Sequence, residues 1–356
     1  MGRSEKIRVL IADDSALMRQ KLRQIVEADP EFEVAGVARD GEDAIAKARE
    51  LRPDVVSLDI NMPRLDGVAV LQLIMSERIC PVVMVSSLTQ KGAVTTFECL
   101  ELGAFDFVGK PDGTVSSNLI LLADEIRSKL KMAAVSGTLK RLVSRRERRP
   151  STLAWKPTPK TRASVAASGY KAVAIGISTG GPVTLMEVLP LIPAEVNAAL
   201  FLVQHMPGSF IHTFVERLND NCKIEVVEAE AGAEVRPGVC YVAPGEHQLT
   251  LYRKSTGDVV IRTPTQPQTL FVPSVDVMMK SVLQIYGPDT VGVLMTGIGN
   301  DGAEQMVAIT KAGGHTIAES EESSVVFGMP RQAIENGGAR VVAPAWQIAG
   351  EILKAL

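Results

Sequence analysis

The sequence predicts an α/β protein with two domains, each built around a mainly parallel sheet. The 356 residues are enough for about two domains. Short apolar runs of strand length alternate with stretches of helical periodicity in both halves of the chain. A basic segment with several prolines and little apolar periodicity lies between the halves. We therefore expect one domain over residues 1–130, an interdomain linker over 131–169 and a second domain over 170–356.

The N-terminal half shows the pattern of a parallel doubly wound sheet, because each predicted strand is followed by a helical stretch. The predicted strands are Ile7–Ala12, Val34–Ala38, Val55–Leu58, Val82–Val85 and Phe105–Val108. The predicted helices include Leu17–Ala28, Gly41–Leu51, Val68–Ile74 and Asn118–Met132.

The C-terminal half repeats the α/β pattern. Its predicted strands are Lys171–Ile175, Leu200–Gln204, Gly238–Val242, Val291–Met295 and Thr316–Ala318. Its predicted helices are Met186–Leu191, Phe210–Asn219, Val275–Tyr286 and Ala303–Ala312. Thr250–Arg262 has the pattern of a hairpin with a turn at Ser255-Thr-Gly-Asp258, so we expect this sheet to be partly mixed.

Positive charge is concentrated in the linker. The formal net charge is only -3, so the whole molecule is not a polyanion binder. Residues 136–163 nevertheless hold nine Lys or Arg and one Glu. Such a tract suits either nucleic-acid binding or a solvated tether, and we favour the tether, with a helical part over Thr138–Arg149.

Cysteine usage and the N-terminal sequence bear on the compartment. The cysteines Cys80, Cys99, Cys222 and Cys240 are far apart, which argues against a zinc ribbon or a disulfide framework and suits a reducing cytosol. No signal peptide or membrane span is visible in the sequence. We expect a cytoplasmic protein that is not itself a membrane protein.

Charged and polar side chains follow several predicted strands of the first domain. Asp13 and Asp14 follow the first strand, Asp59 the third, Ser86 the fourth and Lys110 the fifth. The carboxyl ends of parallel strands meet at one edge of a sheet, where three carboxylates need a cation. The set suits Mg²⁺ and a phosphoryl group, with Asp59 as nucleophile and Lys110 neutralising phosphate oxygens. For any single residue the alternative is a helix cap or a surface ion pair, above all for Asp14.

A serine follows the first predicted strand of the second domain. Gly176-Ile-Ser-Thr-Gly180 fits the G-x-S-x-G pattern of a nucleophile elbow, with Ser178 at its centre. Pro182 suits the first turn of the following helix, whose free N–H groups could face an oxyanion. Taken alone, the pattern also fits a phosphate-binding loop or a simple turn.

A serine nucleophile needs a base and an orienting acid. Of the histidines His205, His212, His247 and His315, position favours His205, which directly follows the strand Leu200–Gln204. His315 should lie at the opposite end of the sheet if its strand is parallel. Asp301 follows Val291–Met295 in a glycine-rich loop and could be the acid, although it could equally cap the helix that begins at Ala303.

The first domain resembles the receiver domain of response regulators, which has a flavodoxin-like doubly wound fold. The resemblance covers residues 7–126 and rests on Asp13-Asp14, Leu58-Asp-Ile-Asn-Met-Pro63, Asp66-Gly67, Ser86 and Lys110-Pro111. It implies phosphotransfer from a histidine kinase to Asp59 with Mg²⁺ as cofactor. It also implies a metal site of Asp13, Asp14, Asp59 and the Asn61 carbonyl, with Phe107 at the position of an aromatic switch residue.

The second domain resembles the catalytic domain of the chemotaxis protein-glutamate methylesterases, the CheB family, with a Rossmann-like α/β fold. The matching motifs are Gly176-Ile-Ser-Thr-Gly-Gly181, Gln204-His-Met-Pro207, Ala243-Pro-Gly245, Pro273-Ser-Val-Asp276 and Thr296-Gly-Ile-Gly-Asn-Asp-Gly-Ala303. The resemblance implies a triad of Ser178, His205 and Asp301 without a cofactor. It implies support from Thr179 and an oxyanion site at the backbone N–H groups of Ile298 and His205.

Two positions depart from the family pattern. Many relatives carry Met where this chain has Ile298, a change that backbone donors should tolerate. Relatives often carry Arg where this chain has Val272, so substrate docking at this edge is an open question.

The resemblance implies a phosphorylation-activated esterase. Its substrates would be glutamyl methyl esters on the cytoplasmic domain of chemoreceptors, released as glutamate and methanol, and receptor glutamines would be deamidated. The unphosphorylated first domain would block the active site, and the partners would be a chemotaxis histidine kinase and the chemoreceptor. Three other classes fit less well. A transcription factor would need a helix-turn-helix, and the sequence shows none. A dinucleotide-binding fingerprint would need glycine where Ser178 stands. The complete set of triad residues disfavours a non-catalytic scaffold.

Overall fold

The computed structural model describes residues 6–86, 89–110, 116–135, 139 and 169–356. The described residues form two compact units, one within Met1–Ser151 and the other within Thr152–Leu356. The predicted linker helix Thr138–Arg149 lies outside the described residues except for Leu139. The linker boundaries therefore stay predictions.

The N-terminal unit is a five-stranded parallel sheet in the order β2-β1-β3-β4-β5. The strands are β1 (Ile7–Ala12), β2 (Phe32–Ala38), β3 (Val55–Asp59), β4 (Val82–Ser86) and β5 (Asp106–Gly109). The helices are α1 (Ala16–Glu27), α2 (Gly41–Leu51), α3 (Gly67–Ser76), α4 (Gln90–Glu101) and α5 (Ser116–Ala133). The predicted doubly wound fold is thus confirmed, with element boundaries that differ from the predicted ones by at most two residues.

Helix caps fix where the chain leaves this sheet. Side chains of Ser15, Asp40, Asp66 and Thr89 each accept a backbone N–H in the first turn of α1, α2, α3 and α4. Every residue of β3 and β4 is buried, as expected for central strands covered on both faces. The chain therefore turns sharply at the carboxyl edge of the sheet, where the polar residues predicted from the sequence follow the strands.

The C-terminal unit contains a seven-stranded parallel sheet in the order β14-β13-β12-β6-β7-β9-β8. Its strands are β6 (Lys171–Ile177), β7 (Ala198–Gln204), β8 (Glu225–Glu228), β9 (Val239–Val242), β12 (Thr290–Leu294), β13 (His315–Glu319) and β14 (Val341–Ala343). The helices are α6 (Gly181–Val188), α7 (Gly208–Asn221), α8 (Val275–Tyr286), α9 (Ala303–Lys311), α10 (Met329–Glu335) and α11 (Ala345–Ala355), with short 3₁₀ helices at Leu189–Leu191 and Gly287–Asp289.

The expectation of a mixed sheet is wrong. The hairpin at Thr250–Arg262 forms as predicted, from β10 (Thr250–Arg253) and β11 (Val259–Arg262), but it is a separate two-stranded sheet. Strand β10 of this hairpin packs against α8. All strand pairs of the seven-stranded sheet are parallel. The first helix begins at Gly181, five residues before the predicted start, because Pro182 occupies its first turn.

The core of this unit lies between the sheet and helices α8, α9 and α10. Phe201 on β7 stacks on Tyr241 of β9 with ring centroids 5.8 Å apart. Met278 of α8 and Met306 of α9 are fully buried in the same cluster. This packing fixes the carboxyl ends of β6, β7 and β12 as neighbours, since β6 pairs with both β7 and β12.

Candidate functional site

The carboxyl edge of the N-terminal sheet gathers the predicted acidic residues. Asp13 follows β1 and Asp59 ends β3, and both side chains are buried, whereas Asp14 is exposed. One carboxylate oxygen from each of Asp13, Asp14 and Asp59 lies within 4.8 Å of the others. Lys110, which follows β5, reaches Asp13 Oδ2 at 3.0 Å and Asp59 Oδ2 at 2.8 Å. The edge therefore holds three acids and one lysine in a single cluster.

Burial dominates the electrostatics of this cluster. Burial, together with the charge of Asp13, raises the pKa of Asp59 above its ordinary value despite the neighbouring lysine. Burial alone would lower the pKa of Lys110, but hydrogen bonds and charge from Asp59 and Asp13 outweigh it and raise that pKa. Two carboxylates thus share one ammonium group.

The cluster fits a small hard cation. Asp59 Oδ1 is buried and accepts no hydrogen bond from any part of the chain that the structure describes. An acidic trio with a free buried oxygen is typical of a Mg²⁺ site, because Mg²⁺ prefers carboxylate oxygens and retains several waters. Asn61, two residues after Asp59, is exposed at the same edge.

Ser86 and Phe107 occupy the neighbouring strands. Ser86 ends β4 and its Oγ accepts a hydrogen bond from Thr96 Oγ1 at 2.7 Å. Phe107 on β5 is buried and meets Phe97 edge to face, with ring centroids 6.3 Å apart. Lys129 lies over the Phe107 ring, 5.4 Å from its centroid. Phe107 is therefore held in an inward orientation in this structure.

The C-terminal sheet presents Ser178 on a sharp turn directly after β6. The Ser178 N–H donates to Thr296 O at 2.9 Å, and Gly180 follows in the left-handed region at φ 78°. A Cβ at Gly181 would lie 1.9 Å from Gln204 Oε1, so a larger residue where α6 begins would have to displace the buried Gln204 side chain. The backbone at Gly297 also passes close by, since a Cβ there would be 2.7 Å from Ser178 Cβ. The predicted elbow is present, and the loop after β12 lies against it.

His205 and Asp301 meet beside this elbow, as predicted. His205 Nε2 lies 2.9 Å from Asp301 Oδ2, and both side chains are buried. His205 Nδ1 is buried and has no hydrogen-bond partner in the described ranges, so the hydrogen bond from Ser178 that a triad requires is not formed. Hydrogen bonds between catalytic groups are often long or absent without substrate. With Nε2 facing Asp301, Nδ1 is the nitrogen left for Ser178.

Asp301 is saturated with hydrogen-bond donors. Besides His205, it accepts the Ser274 hydroxyl at 2.9 Å, the Val275 N–H at 2.7 Å and the Asp276 N–H at 3.0 Å. Burial would raise the pKa of Asp301, but His205 and the two N–H groups outweigh burial and lower it. The alternative that Asp301 caps its own helix is wrong, since Gly302 occupies the N-cap of α9 without a side-chain cap. The Asp301 carboxylate instead accepts hydrogen bonds from N–H groups in the first turn of α8.

The two suggested oxyanion donors differ. The His205 N–H donates to Ile177 O at 3.1 Å, so the expectation that it faces an oxyanion is wrong in this structure. The Ile298 N–H makes no hydrogen bond with the described residues. The Ile298 N–H is therefore free for an oxyanion, on the loop that passes Ser178.

Several positioning contacts were not predicted from the sequence. Gln204 Nε2 donates to both Ser178 O and His205 O, at 3.0 and 2.9 Å, and Thr296 Oγ1 donates to Thr179 O at 2.9 Å. Gln204, Ser274 and Thr296 lie inside the quoted motifs, which were the available signal. Phe271, which stacks on the His205 ring, had no such signal.

The remaining histidines lie outside this arrangement. His212 is exposed and pairs with Glu216 on α7. His247 Nδ1 lies 3.0 Å from its own turn at Gly245 O. His315 begins β13, which is parallel to β12, so it lies at the amino end of the sheet, opposite Ser178, as predicted.

A serine elbow beside a histidine–aspartate pair, joined to a domain with a buried acidic cluster and lysine, defines a serine hydrolase with a receiver-type domain. A family model described as CheB methylesterase matches residues 173–352, and a response regulator receiver domain model matches residues 9–116. The chain belongs to the CheB methylesterase family, with the receiver domain preceding the methylesterase domain.

Individual relatives agree with this assignment. Protein-glutamate methylesterase/protein-glutamine glutaminase 3 of Syntrophomonas wolfei is 58% identical over 357 residues, covering 98% of this chain and 99% of that protein. A Pyrococcus horikoshii protein-glutamate methylesterase/protein-glutamine glutaminase is 45% identical and covers 100% of this chain and 95% of its own. The crystal structure of the Thermotoga maritima CheB methylesterase catalytic domain matches with a TM-score of 0.52 and 37% identity, covering 53% of this chain and 100% of that one. The predicted family and fold class are confirmed.

Proposed function

We propose that Ser178, His205 and Asp301 hydrolyse glutamyl methyl esters on chemoreceptors, and that phosphorylation of Asp59 activates this reaction. Family membership gives the activity class, since the chain is a protein-glutamate methylesterase/protein-glutamine glutaminase with a receiver domain. The observation that carries the triad is the 2.9 Å contact of His205 with Asp301, which leaves His205 Nδ1 buried beside the serine elbow and without a hydrogen-bond partner among the described residues.

The contact between His205 and Asp301 supports the following acylation half-reaction. His205 Nδ1 removes the Ser178 hydroxyl proton, and Oγ attacks the ester carbonyl to form a tetrahedral intermediate. Asp301 keeps the proton of Nε2 in place and stabilises the imidazolium that forms. The Ile298 N–H stabilises the oxyanion, and Thr179 supports the elbow through its carbonyl contact with Thr296.

Acylation ends when His205 gives the Ser178 proton to the departing methoxide, which leaves as methanol, or to the departing amide nitrogen of a glutamine, which leaves as ammonia. In deacylation His205 removes a proton from a water molecule that attacks the acyl-enzyme. His205 then returns that proton to Ser178 Oγ as glutamate leaves. No cofactor is required in these steps.

The receiver site fits phosphoryl transfer to a carboxylate. Asp13, Asp14, Asp59 and the Asn61 carbonyl would hold Mg²⁺, which neutralises phosphoryl oxygens when it is bound. Lys110, already 2.8 Å from Asp59, would bind a phosphoryl oxygen.

Ser86 and Phe107 then offer a response to the phosphate. The Ser86 hydroxyl lies at the end of β4, where it can donate to another phosphoryl oxygen. Phe107 provides an aromatic group whose orientation can follow Ser86. Phosphate must favour an active over an inactive arrangement of the enzyme for this to regulate catalysis.

The partners follow from the two domains. A receiver domain implies a kinase, and the esterase acts on a protein substrate. We propose a chemotaxis histidine kinase and the cytoplasmic domain of a methyl-accepting chemoreceptor, which would put the protein in the cytoplasm, with no nucleic-acid partner. In the described ranges, no helix is both long and apolar enough to cross a membrane.

Methanol release from methylated chemoreceptor membranes, with and without acetyl phosphate and Mg²⁺, tests the proposal. Ser178→Ala should reduce release at least about 10³-fold, while phosphate uptake continues. Asp59→Asn should lose phosphate uptake and the stimulation by acetyl phosphate.

Ser255→Ala, at an exposed serine in the hairpin turn, is the matched control and should behave as the wild type. Release that persists in Ser178→Ala would refute the proposed nucleophile. Stimulation that persists in Asp59→Asn would refute the proposed phosphorylation site.

A further inference from the structure

The loop between β11 and α8 carries an apolar pair beside the catalytic histidine. The Phe271 ring lies nearly parallel to the His205 imidazole, with centroids 4.3 Å apart and an interplanar angle of 12°. Leu270, its neighbour in sequence, is 86% exposed, more than any other large hydrophobic residue in the described parts of the chain. One residue thus covers the catalytic base, and the next points an unpaired apolar surface to solvent.

A buried glutamine fixes this loop in place. The Gln248 side chain is fully buried, and its Nε2 donates to Pro267 O at 2.9 Å and to Thr269 Oγ1 at 3.1 Å. Its Oε1 accepts the Ser274 N–H at 2.8 Å, and the Ser274 hydroxyl in turn donates to Asp301. Thr269 Oγ1 in turn donates to Phe271 O. Hydrogen bonds from buried Gln248 and from Thr269 therefore fix the backbone position of Phe271.

The loop is also free of charge. Residues 263–273 contain no Asp, Glu, Lys, Arg or His. A loop of this kind beside the active site cannot select a substrate by ion pairs, and its exposed Leu270 side chain offers apolar contact. Because Phe271 stacks on His205, the base proposed to activate Ser178, this loop lies close to where a side-chain ester bound at Ser178 would react.

We propose that Leu270 and Phe271 form an apolar ledge with two roles. Phe271 is a positioning residue that holds the His205 ring in plane for Asp301 and Ser178. Leu270 is a specificity residue that binds an apolar side chain of the substrate polypeptide beside the modified glutamate. This inference rests on the proposed function, and it deepens it by naming the chemistry of the surface next to the scissile bond.

The physical reasons for the two roles are distinct. The imidazole has one edge fixed by Asp301, and the stacked ring restricts rotation out of the plane. Restricting the base to its productive orientation raises kcat for every substrate. Contact between Leu270 and a substrate side chain instead removes apolar area from water, which strengthens binding only for substrates that carry such a side chain.

The two roles are separated with two substrates and the full-length enzyme. Steady-state kcat and KM are measured on methylated chemoreceptor membranes and on the small activated ester p-nitrophenyl acetate. Leu270→Ser should raise the receptor KM relative to the small-ester KM by about three- to tenfold. Leu353→Ser, at another exposed leucine of the same unit, is the control and should leave this ratio unchanged.

Phe271→Ala should lower kcat about tenfold on both substrates and change the pH profile of kcat/KM, whereas Phe271→Tyr should preserve both. Phe271→Leu replaces Phe271→Ala if the latter does not fold. An unchanged KM ratio in Leu270→Ser, or an unchanged kcat in both the alanine and leucine variants, would overturn the proposal. Loss of the Ser178 requirement in the same assays would instead refute the proposed triad, so the two failures are distinguishable.

Discussion

The two sites use a buried aspartate in opposite ways. Asp59 in the receiver unit has one lysine partner, a second acid nearby and an oxygen without a hydrogen bond in the described residues, and its pKa is raised mainly by burial. Asp301 in the esterase unit accepts four donors, and its pKa is lowered despite burial. Both lie at the carboxyl edge of a parallel sheet.

The difference shows what each carboxylate is built to do. A carboxylate that must bind a cation and attack a phosphoryl group needs free lone pairs, so its site leaves oxygens unsatisfied. A carboxylate that must only orient a histidine gains from complete hydrogen bonding, which fixes its charge and position. Donor count around a buried acid therefore separates a reactive role from an orienting role in this chain.

The largest effect is expected for Asp301→Asn. An amide has only one oxygen, so at least one pair of the four donors faces an NH₂ group that cannot accept hydrogen bonds. We expect kcat for methyl ester hydrolysis to fall about 10³- to 10⁴-fold. Asp289→Asn, an exposed carboxylate of the same unit, should retain full activity. A loss below about tenfold would mean that Asp301 does not orient the base, and the comparison with Asp59 would fail.

The next effect is expected for Lys110→Met, which removes the cation shared by Asp13 and Asp59. Breaking a buried ion pair leaves uncompensated charge, so we expect the receiver unit to lose about 3 kcal/mol of unfolding free energy. Mg²⁺ should restore part of this loss, because its binding to the acids stabilises the folded state. Calorimetry in EDTA and in Mg²⁺ measures both effects.

Lys91→Met, at an exposed lysine of α4, serves as the control and should unfold as the wild type does. A Lys110→Met melting temperature equal to that of the wild type in EDTA would mean that the acids are not strained by their proximity. The unsatisfied oxygens of the receiver site would then need another explanation.

The sequence predicted the site residues that stand at strand ends. Asp59, Lys110, Ser178 and His205 each follow or end a strand, and parallel strands bring such residues together whatever the details of packing. The strands β8 and β14 and the helix α10 were not predicted, because each is short. The helix α11 was also not predicted, although its buried residues Ala345, Ile348, Ala349 and Ile352 have helical spacing. The separate hairpin sheet was also beyond a local pattern, which cannot specify a pairing partner.

The contacts that refine the esterase site were less accessible to sequence reasoning. Asp301 precedes α9, so local logic suggested a cap for that helix, whereas its partners lie about 25 residues earlier at the start of α8. Phe271 contacts His205 across a long sequence separation and belongs to no motif. Such long-range contacts are set by tertiary packing, which a single sequence does not encode in any local spacing.

The smallest effect concerns Asp276, the reciprocal partner of Asp301. The Asp276 carboxylate, at the start of α8, accepts the Gln305 N–H of α9 at 3.2 Å. Asp301, just before α9, accepts the Val275 and Asp276 N–H groups of α8. Each of the two helices thus donates an N–H group to the carboxylate beside the start of the other. Burial first, then the charges of Asp301 and Glu304, raise the pKa of Asp276 to about 6 from 3.8. The ionised Asp276 beside Asp301 therefore lowers the free energy of unfolding by an amount that depends on pH.

The sign of this dependence follows from proton binding. With a raised pKa, the folded state binds the Asp276 proton more tightly than the unfolded state between about pH 4 and pH 6. The contribution of Asp276 to the free energy of unfolding therefore falls as the pH rises through this window and stays low above it. Asp276→Asn removes the titrating group while its amide oxygen can still accept the Gln305 N–H.

We expect the melting temperature of Asp276→Asn, relative to the wild type, to rise by a few degrees at most between pH 4 and pH 7. Calorimetry of the esterase transition at both pH values measures it, with Asp289→Asn as the matched substitution. A difference that is constant with pH, or that falls as the pH rises, would show that Asp276 is not held at the expense of its charge. The orienting acid would then be free of a repulsive neighbour, and complete donor saturation alone would account for the contrast between Asp301 and Asp59.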